Sequence, residues 1–346
     1  MSPRDTVAPA ASSLSRDRLD LLLAAARRVR VAILGDAMLD VYLHGDVERI
    51  SPEAPVPVVR VRERRSALGG AANVAHNVVA LGAQADLVCV VGRDASAAEL
   101  RRMLGAIGAD GPSLVDVDRA TTTKTRVLAR VQQVVRVDEE DDADLPGGDA
   151  ERVVAAARRA IDRADALVLE DYNKGVLLPR LIEDVIAHAR QRGIPVVVDP
   201  KYRNFFSYRG ATVFKPNRRE LEAALGAAVD LEHPRALPSA LERLGVEHLL
   251  LTLGERGMVL AGRDGTLHRI PATAREVYDV VGAGDTVTAY LAAMLAAGAS
   301  PQEAAEVANL AAGVEVGKLG AASVSAAEVR EAAATRDDAA GARTGA

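Results

Sequence analysis

The sequence contains no tryptophan, and aromatic residues make up only 3% of its 346 positions. Alanine, valine, leucine and glycine dominate instead, a composition suited to helices packed closely on a sheet. Cysteine occurs once, at Cys89 inside the run Leu87-Val88-Cys89-Val90-Val91. A single thiol excludes an internal disulfide, and its apolar setting reads as buried strand rather than nucleophile. No Cys/His spacing resembles a zinc site, and none of the six histidines sits in an HExxH pattern. There is no excess of positive charge. The formal net charge of -5 argues against a nucleic-acid partner, which needs a basic face, but leaves room for a local basic pocket around a small phosphorylated substrate. No stretch approaches the ~20 apolar residues that span a bilayer. The run Leu19 to Ala26 is interrupted by Asp20 and lacks the flanks of a signal peptide. A cytoplasmic protein with no membrane partner is expected.

What is present is a repeating unit. Short apolar runs at Val29–Leu34, Leu87–Val91, Ala166–Leu169, Pro195–Val198, Ala211–Phe214 and His248–Leu251 read as strands. Helical spacing marks Asn73–Leu81, Ala95–Ile107, Ala150–Arg163, Pro179–Arg192 and Arg218–Leu225. Alternation of this kind predicts an α/β fold with a mostly parallel, doubly wound sheet, whose ligands sit beyond the carboxyl ends of the strands. Two stretches break the rhythm. Val47 to Arg65 and Thr121 to Asp138 alternate with a period of two and predict a small separate β-sheet acting as a lid, over about 44–66 and 121–138. Residues 1–28 read as a disordered leader followed by a helix from Ser15, 29–334 as the main domain, and 335–346 as a frayed, flexible tail.

The most informative segment is Asp279-Val-Val-Gly282-Ala283-Gly284-Asp285-Thr-Val, ahead of a predicted helix over Thr286–Ala297. Small residues let the backbone turn tightly and aim its N–H groups at one point. A helix N-terminus there adds its positive dipole end. The result is an anion hole suited to a phosphoryl group, and Asp285 beside it can take a proton from an attacking hydroxyl. Taken alone, the same string also fits an N-cap aspartate over a plain glycine turn. Gly313-Val-Glu-Val-Gly317-Lys318-Leu319 is one residue short of a P-loop and lacks its hydroxyl residue.

With Gly69-Gly70-Ala-Ala-Asn73 upstream, the segment resembles the paired signatures of the ribokinase-like (PfkB) carbohydrate kinases, a resemblance running from residue 30 to about 330. Within that family, the chain is similar to D-glycero-D-manno-heptose-7-phosphate kinases at Arg49-Ile-Ser-Pro-Glu-Ala-Pro-Val-Pro-Val-Val59. The same similarity covers Thr121–Arg130, Asp171-Tyr-Asn-Lys174-Gly, Asp199-Pro-Lys201 and Gly317-Lys-Leu-Gly320. The chain departs from the pattern at Glu170, where a small polar residue is usual, and at Glu315, which interrupts an apolar stretch.

The resemblance implies a three-layer αβα fold with a β-sheet lid, homodimerisation through that lid, and ATP-dependent phosphorylation of the C1 hydroxyl of heptose 7-phosphate. It implies Asp285 as the base, with Gly282, Ala283 and Gly284 forming the anion hole. Sugar contacts fall on Asp36, Asp40, Gly69, Gly70, Asn73 and Asp171. Asp36 and Asp40 are spaced to share a helical face. Lys201 adds positive charge, and Lys174, Arg126 and Arg130 are candidates for the 7-phosphate. Arg126 and Arg130 would share one face of an extended strand. Asn217 and Glu220 would organise Mg2+ through water, while also forming a capping box. Thr252, Gly254, Gly257 and Asn309 would line the nucleotide. Asn309 reads equally as an exposed helical residue. Asp279, Gly320 and Ser323 resemble a monovalent-cation (K+) site. Other acceptors (ribose, fructose, a nucleoside) and a silent sugar-binding relative are the competing readings. No HxGH motif of a nucleotidyltransferase half is present, so the kinase part alone is expected.

Overall fold

Short β-branched runs, apolar on both faces, build the centre of the molecule. A computed structural model describes residues 14–109, 113–130, 132–230, 236–274, 277–318 and 320–344. The expected leader, residues 1–13, lies outside them, as do Leu319 and the last two positions of the tail. The chain runs through α1 (Arg16–Ala26), β1 (Arg30–Gly35), β2 (Ala37–Ile50), β3 (Pro57–Gly70), α2 (Ala71–Leu81), β4 (Gln84–Val91), α3 (Ala95–Ala106), β5 (Leu114–Asp116), β6 (Thr123–Ala129) and β7 (Gln132–Glu139). It continues through α4 (Gly147–Ile161), β8 (Ala166–Glu170), α5 (Pro179–Gln191), β9 (Val196–Asp199), β10 (Val213–Phe214), α6 (Arg218–Leu225), α7 (Ala236–Leu244), β11 (His248–Thr252), β12 (Met258–Gly262) and β13 (Leu267–Ile270). Then come α8 (Ala283–Ala296), α9 (Pro301–Glu315) and α10 (Ala326–Thr344).

Nine strands form the main sheet in the order β13-β12-β11-β10-β9-β8-β1-β4-β5. All pairings from β5 to β11 are parallel, and β12 and β13 are added antiparallel. Successive residues face opposite sides, as the period of two requires. Val31 and Ile33 of β1 join one core with α1, α2, α3, α8 and α9, while Ala32 and Leu34 join a second core with α4, α5 and α7. The three-layer αβα architecture follows. The chain leaves β1 towards β4 and β5, then returns to β8 on the other side of β1. The sheet therefore reverses its winding between β1 and β8, the position where open α/β sheets bind ligands.

The lid is a second sheet of four strands, ordered β3-β2-β6-β7. Its strands reach further than the sequence suggests. β2 begins at Ala37, directly after β1, and β3 runs on to Gly70. Asp36 and Asp40 therefore share no helix: Asp40 lies within β2, paired with Ala67 on one side and Lys124 on the other. Partners on both edges of β2 override the helical spacing. α10 continues to Thr344 where a frayed tail was expected from Thr335, as a run of alanines, the strongest helix former, allows. No helix of the described residues is long and apolar enough to cross a membrane.

α9, which supports α8, begins with a capping box between Ser300 and Glu303. Glu303 also pairs with Arg18 of α1 at 2.7 Å. These contacts, led by the Arg18 hydrogen bond, hold the Glu303 carboxyl down to about 2. A depressed carboxyl contributes stability above its unfolded value near 4.5 and loses it as pH falls towards 2. Glu303→Gln should melt below wild type at pH 7, with the gap closing on acidification. Thermal melts at pH 7, 4 and 2.5 check this.

Candidate active site

The polar residues that follow the strands meet at the winding reversal. Asp36 leaves β1 almost fully buried. Its Oδ2 accepts from the backbone N–H of Tyr172 at 2.8 Å and of Lys174 at 3.0 Å, whereas Oδ1 has no hydrogen-bond partner among the described residues. Burial, helped by nearby Asp171, pushes Asp36 up to about 6. Asp40 pairs with Arg126, whose guanidinium lies 5.3 Å from the centre of the Tyr42 ring. Gly69 is needed here because a Cβ would fall 2.5 Å from Asp40 Oδ2. Gly70 has φ +56°, and a Cβ there would strike the Asp36 carbonyl at 2.4 Å. Only glycine brings these two backbones so close.

Asp285 sits in the first turn of α8, which starts three residues before the predicted Thr286. Gly282, with φ +96°, is the N-cap, so Asp285 is not one. The helix makes its first bond from Thr286 N–H to Gly282. The N–H groups of Gly284 and Asp285 precede that bond, as the first-turn amides of any helix do. Asp285 Oδ2 accepts from Asn73 Nδ2 and Oδ1 from the Tyr172 hydroxyl, both at 2.8 Å. Burial raises Asp285 to about 6 against these two bonds. Asn73 is fully buried and spends its amide on Asp285 rather than offering it to a sugar.

A cavity of about 270 Å³ opens beside the turn. Asn217, Glu220, Thr252, Lys201, Lys215, Gly282, Gly284 and Asp285 are among the residues that line it. Asn217 and Glu220 form the expected capping box, and Glu220 also holds Lys201 Nζ at 2.7 Å. Lys215 is buried and pairs with Asp199 at 2.8 Å, and its Nζ would lie 3.6 Å from a Cβ on Gly284. Burial favours the neutral amine, yet Asp199 and Glu170 outweigh it, so Lys215 stays charged beside the anion hole. Lys215 was absent from the sequence reading. Its signal was available, since it is a polar residue directly after a buried strand.

Several expected residues are placed otherwise. Asp171 is buried, and its two oxygens accept from the Tyr208 hydroxyl and Asn173 N–H, both at 2.7 Å, so it braces the loop. Arg130 lies past the end of β6 in the turn to β7, with φ 54°, so it shares no strand face with Arg126. Arg126 itself is committed to Asp40. Lys174 reaches Glu140 at 2.7 Å, and Lys124 of β6 reaches the same carboxylate at 2.9 Å. Gly254 and Gly257 make the turn of the β11–β12 hairpin. Asn309 is buried, not exposed, and donates to the Pro271 carbonyl at 2.9 Å. Asp279 accepts from Gly320 N–H at 3.2 Å, but the Ser323 carbonyl receives Lys318 Nζ at 2.7 Å. An ammonium thus already occupies part of the expected K+ cage, and these residues do not fit that ion as a set.

A carboxylate held at a helix N-terminus beside two lysines can deprotonate a hydroxyl and steady a transferring phosphoryl group. Comparison with known proteins agrees. The profile described as pfkB family carbohydrate kinase matches residues 29–328. The chain is 48% identical over 311 residues to the bifunctional protein HldE of Rhodospirillum rubrum, covering 89% of this chain and 63% of that protein. It is 46% identical to the bifunctional protein HldE of Geobacter sulfurreducens, covering 91% and 65%. The chain thus spans less than two thirds of the length of these relatives. Arabidopsis thaliana ribokinase complexed with ribose and ATP superposes with a TM-score of 0.70 at 20% identity, covering 88% of this chain and 98% of that one. The tetrameric inhibited form of Escherichia coli phosphofructokinase-2 gives 0.72 at 18%, covering 89% and 99%. Those two likenesses concern the fold, while the profile match over almost the whole chain concerns descent: the chain belongs to the pfkB family of carbohydrate kinases.

Proposed function

We propose that the chain transfers the γ-phosphoryl group of MgATP to the anomeric C1 hydroxyl of D-glycero-D-manno-heptose 7-phosphate, giving heptose 1,7-bisphosphate for ADP-heptose and lipopolysaccharide core synthesis. The observation that carries the chemistry is the Asp285 carboxylate, held by two donors at the wall of a nucleotide-sized cavity. The heptose reading draws support from the Ser51-Pro-Glu-Ala-Pro55 lid segment, the 171–175 loop and the similarity to proteins named HldE.

In this reading the C1 hydroxyl gives its proton to Asp285, and its oxygen bonds to the γ-phosphorus. The bond to the β,γ-bridging oxygen breaks, and ADP leaves with that electron pair. The amides of Gly284 and Asp285, together with Lys215, hold the charge of the transferring group, while the Ala283 N–H is turned to the Val280 carbonyl at 3.4 Å. The Glu220 carboxylate and the Asn217 side-chain oxygen are hard oxygen ligands, of the kind that would hold Mg2+ largely through water. When bound, the ion shields phosphate charge. Asp36 and the Asp40–Arg126 pair face the sugar, and closure of the lid excludes water.

Asp285→Asn should fold, bind ATP and lose turnover by roughly 10²–10⁴-fold. Because the base must be ionised and burial raises it to about 6, kcat/KM of the wild type should fall below about pH 6. A pH-rate profile of wild type and mutant tests both statements, and near-normal turnover of the mutant would remove Asp285 from the base role.

Substrate choice separates heptose 7-phosphate from other acceptors. Lys174, whose backbone N–H bonds Asp36 at 3.0 Å and whose ammonium is partly shielded, is the amine best placed for a remote dianion. Binding energy from that phosphate can be used to close the lid, so its loss should lower turnover as well as affinity. Unphosphorylated heptose should be a very poor substrate, and Lys174→Ala should reduce the preference for the 7-phosphate. Equal catalytic efficiency on both sugars would move the chain to the general sugar-kinase reading.

The lid also carries an apolar face. Val47, Ile50 and Val61 on β2 and β3, and Val134, Val135 and Val137 on β7, are all exposed. A second copy of the lid, related by two-fold symmetry, would cover them. Sedimentation at micromolar concentration should show a dimer, which Val135→Asp and Val137→Asp together would dissociate.

A further inference from the structure

Tyr172 touches three parts of the site at once. Its backbone N–H donates to Asp36 Oδ2 at 2.8 Å, and its hydroxyl donates to Asp285 Oδ1 at 2.8 Å. Its ring lies 5.0 Å from Lys201 Nζ, a cation–π distance. Its Cδ2 would be 3.4 Å from a Cβ on Gly70, so the glycine turn leaves room for the ring. The backbone, the ring and the hydroxyl are each fixed by a different neighbour, and the hydroxyl has no freedom to turn away.

We propose that Tyr172 is a positioning residue for the base, its clamped hydroxyl orienting the Asp285 carboxylate and favouring the ionised form through the bond to Oδ1. The proposal rests on the reading of Asp285 as the base. Asn73 holds Oδ2 and Tyr172 holds Oδ1, so the carboxylate cannot rotate. Each carboxylate oxygen accepts more than one hydrogen bond, which leaves capacity for an incoming proton. The titratable groups facing Asp285 are Glu170 from β8, Asp199 from β9, Lys215 after β10 and Glu315 from α9; α2 contributes the uncharged Asn73. Three of these four are carboxylates, so the field around the base is dominated by acids. The two hydrogen bonds and Lys215 oppose them. Burial first, then Asp285 and its acidic neighbours, push the Tyr172 phenol far above its ordinary range, so it remains a donor wherever the enzyme works.

Tyr172→Phe keeps the ring and its stacking and deletes one donor. Loss of a hydrogen bond to a charged group should lower kcat about tenfold and move the acidic limb of kcat/KM upward by about one pH unit. KM for ATP should stay unchanged. A residue that merely filled space would leave the limb where it was. Replacing Tyr172 alone by 3-fluorotyrosine, a more acidic phenol and stronger donor, should move the limb the other way. A phenylalanine variant with an unmoved limb would overturn the proposal. Should that variant not fold, an unmoved limb in the fluorinated protein would overturn it equally. Turnover that survives Asp285→Asn would instead show that the underlying reading of the base is at fault.

Discussion

Carboxylate oxygens of Glu170, Asp199 and Asp285 converge to within 4.8 Å of one another beneath the first turn of α8. Burying three like charges together is costly unless they are paired or neutralised. Lys215 answers one of them, through its 2.8 Å bond to Asp199. Glu170 receives no such answer: both its oxygens lack a hydrogen-bond partner among the described residues, and burial, then Asp199 and Asp285, push it well above the carboxylate range. The same environment lifts Asp285 to about 6, where a carboxylate is a usable base near neutrality. The local cost in stability and the chemical competence of the site thus have one origin, the crowding of acids at the edge of β8 and β9.

That crowding is tied to the lid by the chain itself. β2 leaves directly from Asp36, and β3 returns directly into Gly70 and α2, whose Asn73 holds Asp285. Displacement of the lid strands pulls on both the Asp36 turn and the helix that orients the base. The close approach of Gly70 to the Asp36 carbonyl makes these two entry points one unit.

The central sheet was legible because its strands are short, apolar on both faces and bounded by polar turns; each of the six predicted runs forms a strand of the main sheet. The lid was legible as alternation, but its limits were not. Ala37 to Leu43 is apolar enough to read as part of the core, and only pairing with β3 and β6 shows where the lid begins. The anion hole and Asp285 were readable from spacing together with family likeness. What spacing could not supply was the partner of each polar group. Asp171 looked like a ligand because it follows a strand, yet Tyr208, distant in sequence, claims it. Asn73 looked like a sugar contact, yet Asp285 lies across the sheet from it in sequence and next to it in space. Arg130 failed for a local reason: β6 stops at Ala129 after a bulge, so even spacing no longer means one face.

Residues 171–174 connect these features over a single short loop. Asp171 is pinned by Tyr208 from below, and Asn173 adopts a left-handed conformation, φ 55°, that reverses the chain. The reversal presents two donors, the N–H groups of Tyr172 and Lys174, to one oxygen of Asp36, while the Asn173 N–H between them turns to Asp171. It also sends the two side chains to different places, Tyr172 to Asp285 and Lys174 to Glu140 at the end of the lid. Glu140 in turn holds Lys124 of β6, so two ammonium groups share one carboxylate there. Lys124 also pairs with Asp138 at 3.2 Å, so the cluster holds two ammonium groups and two carboxylates. A dianion arriving at Lys174 competes with Glu140 for the same ammonium, and the contact it weakens is the one between loop and lid. The loop is thus bonded to Asp285 through Tyr172 at one end and to Glu140 after β7 through Lys174 at the other.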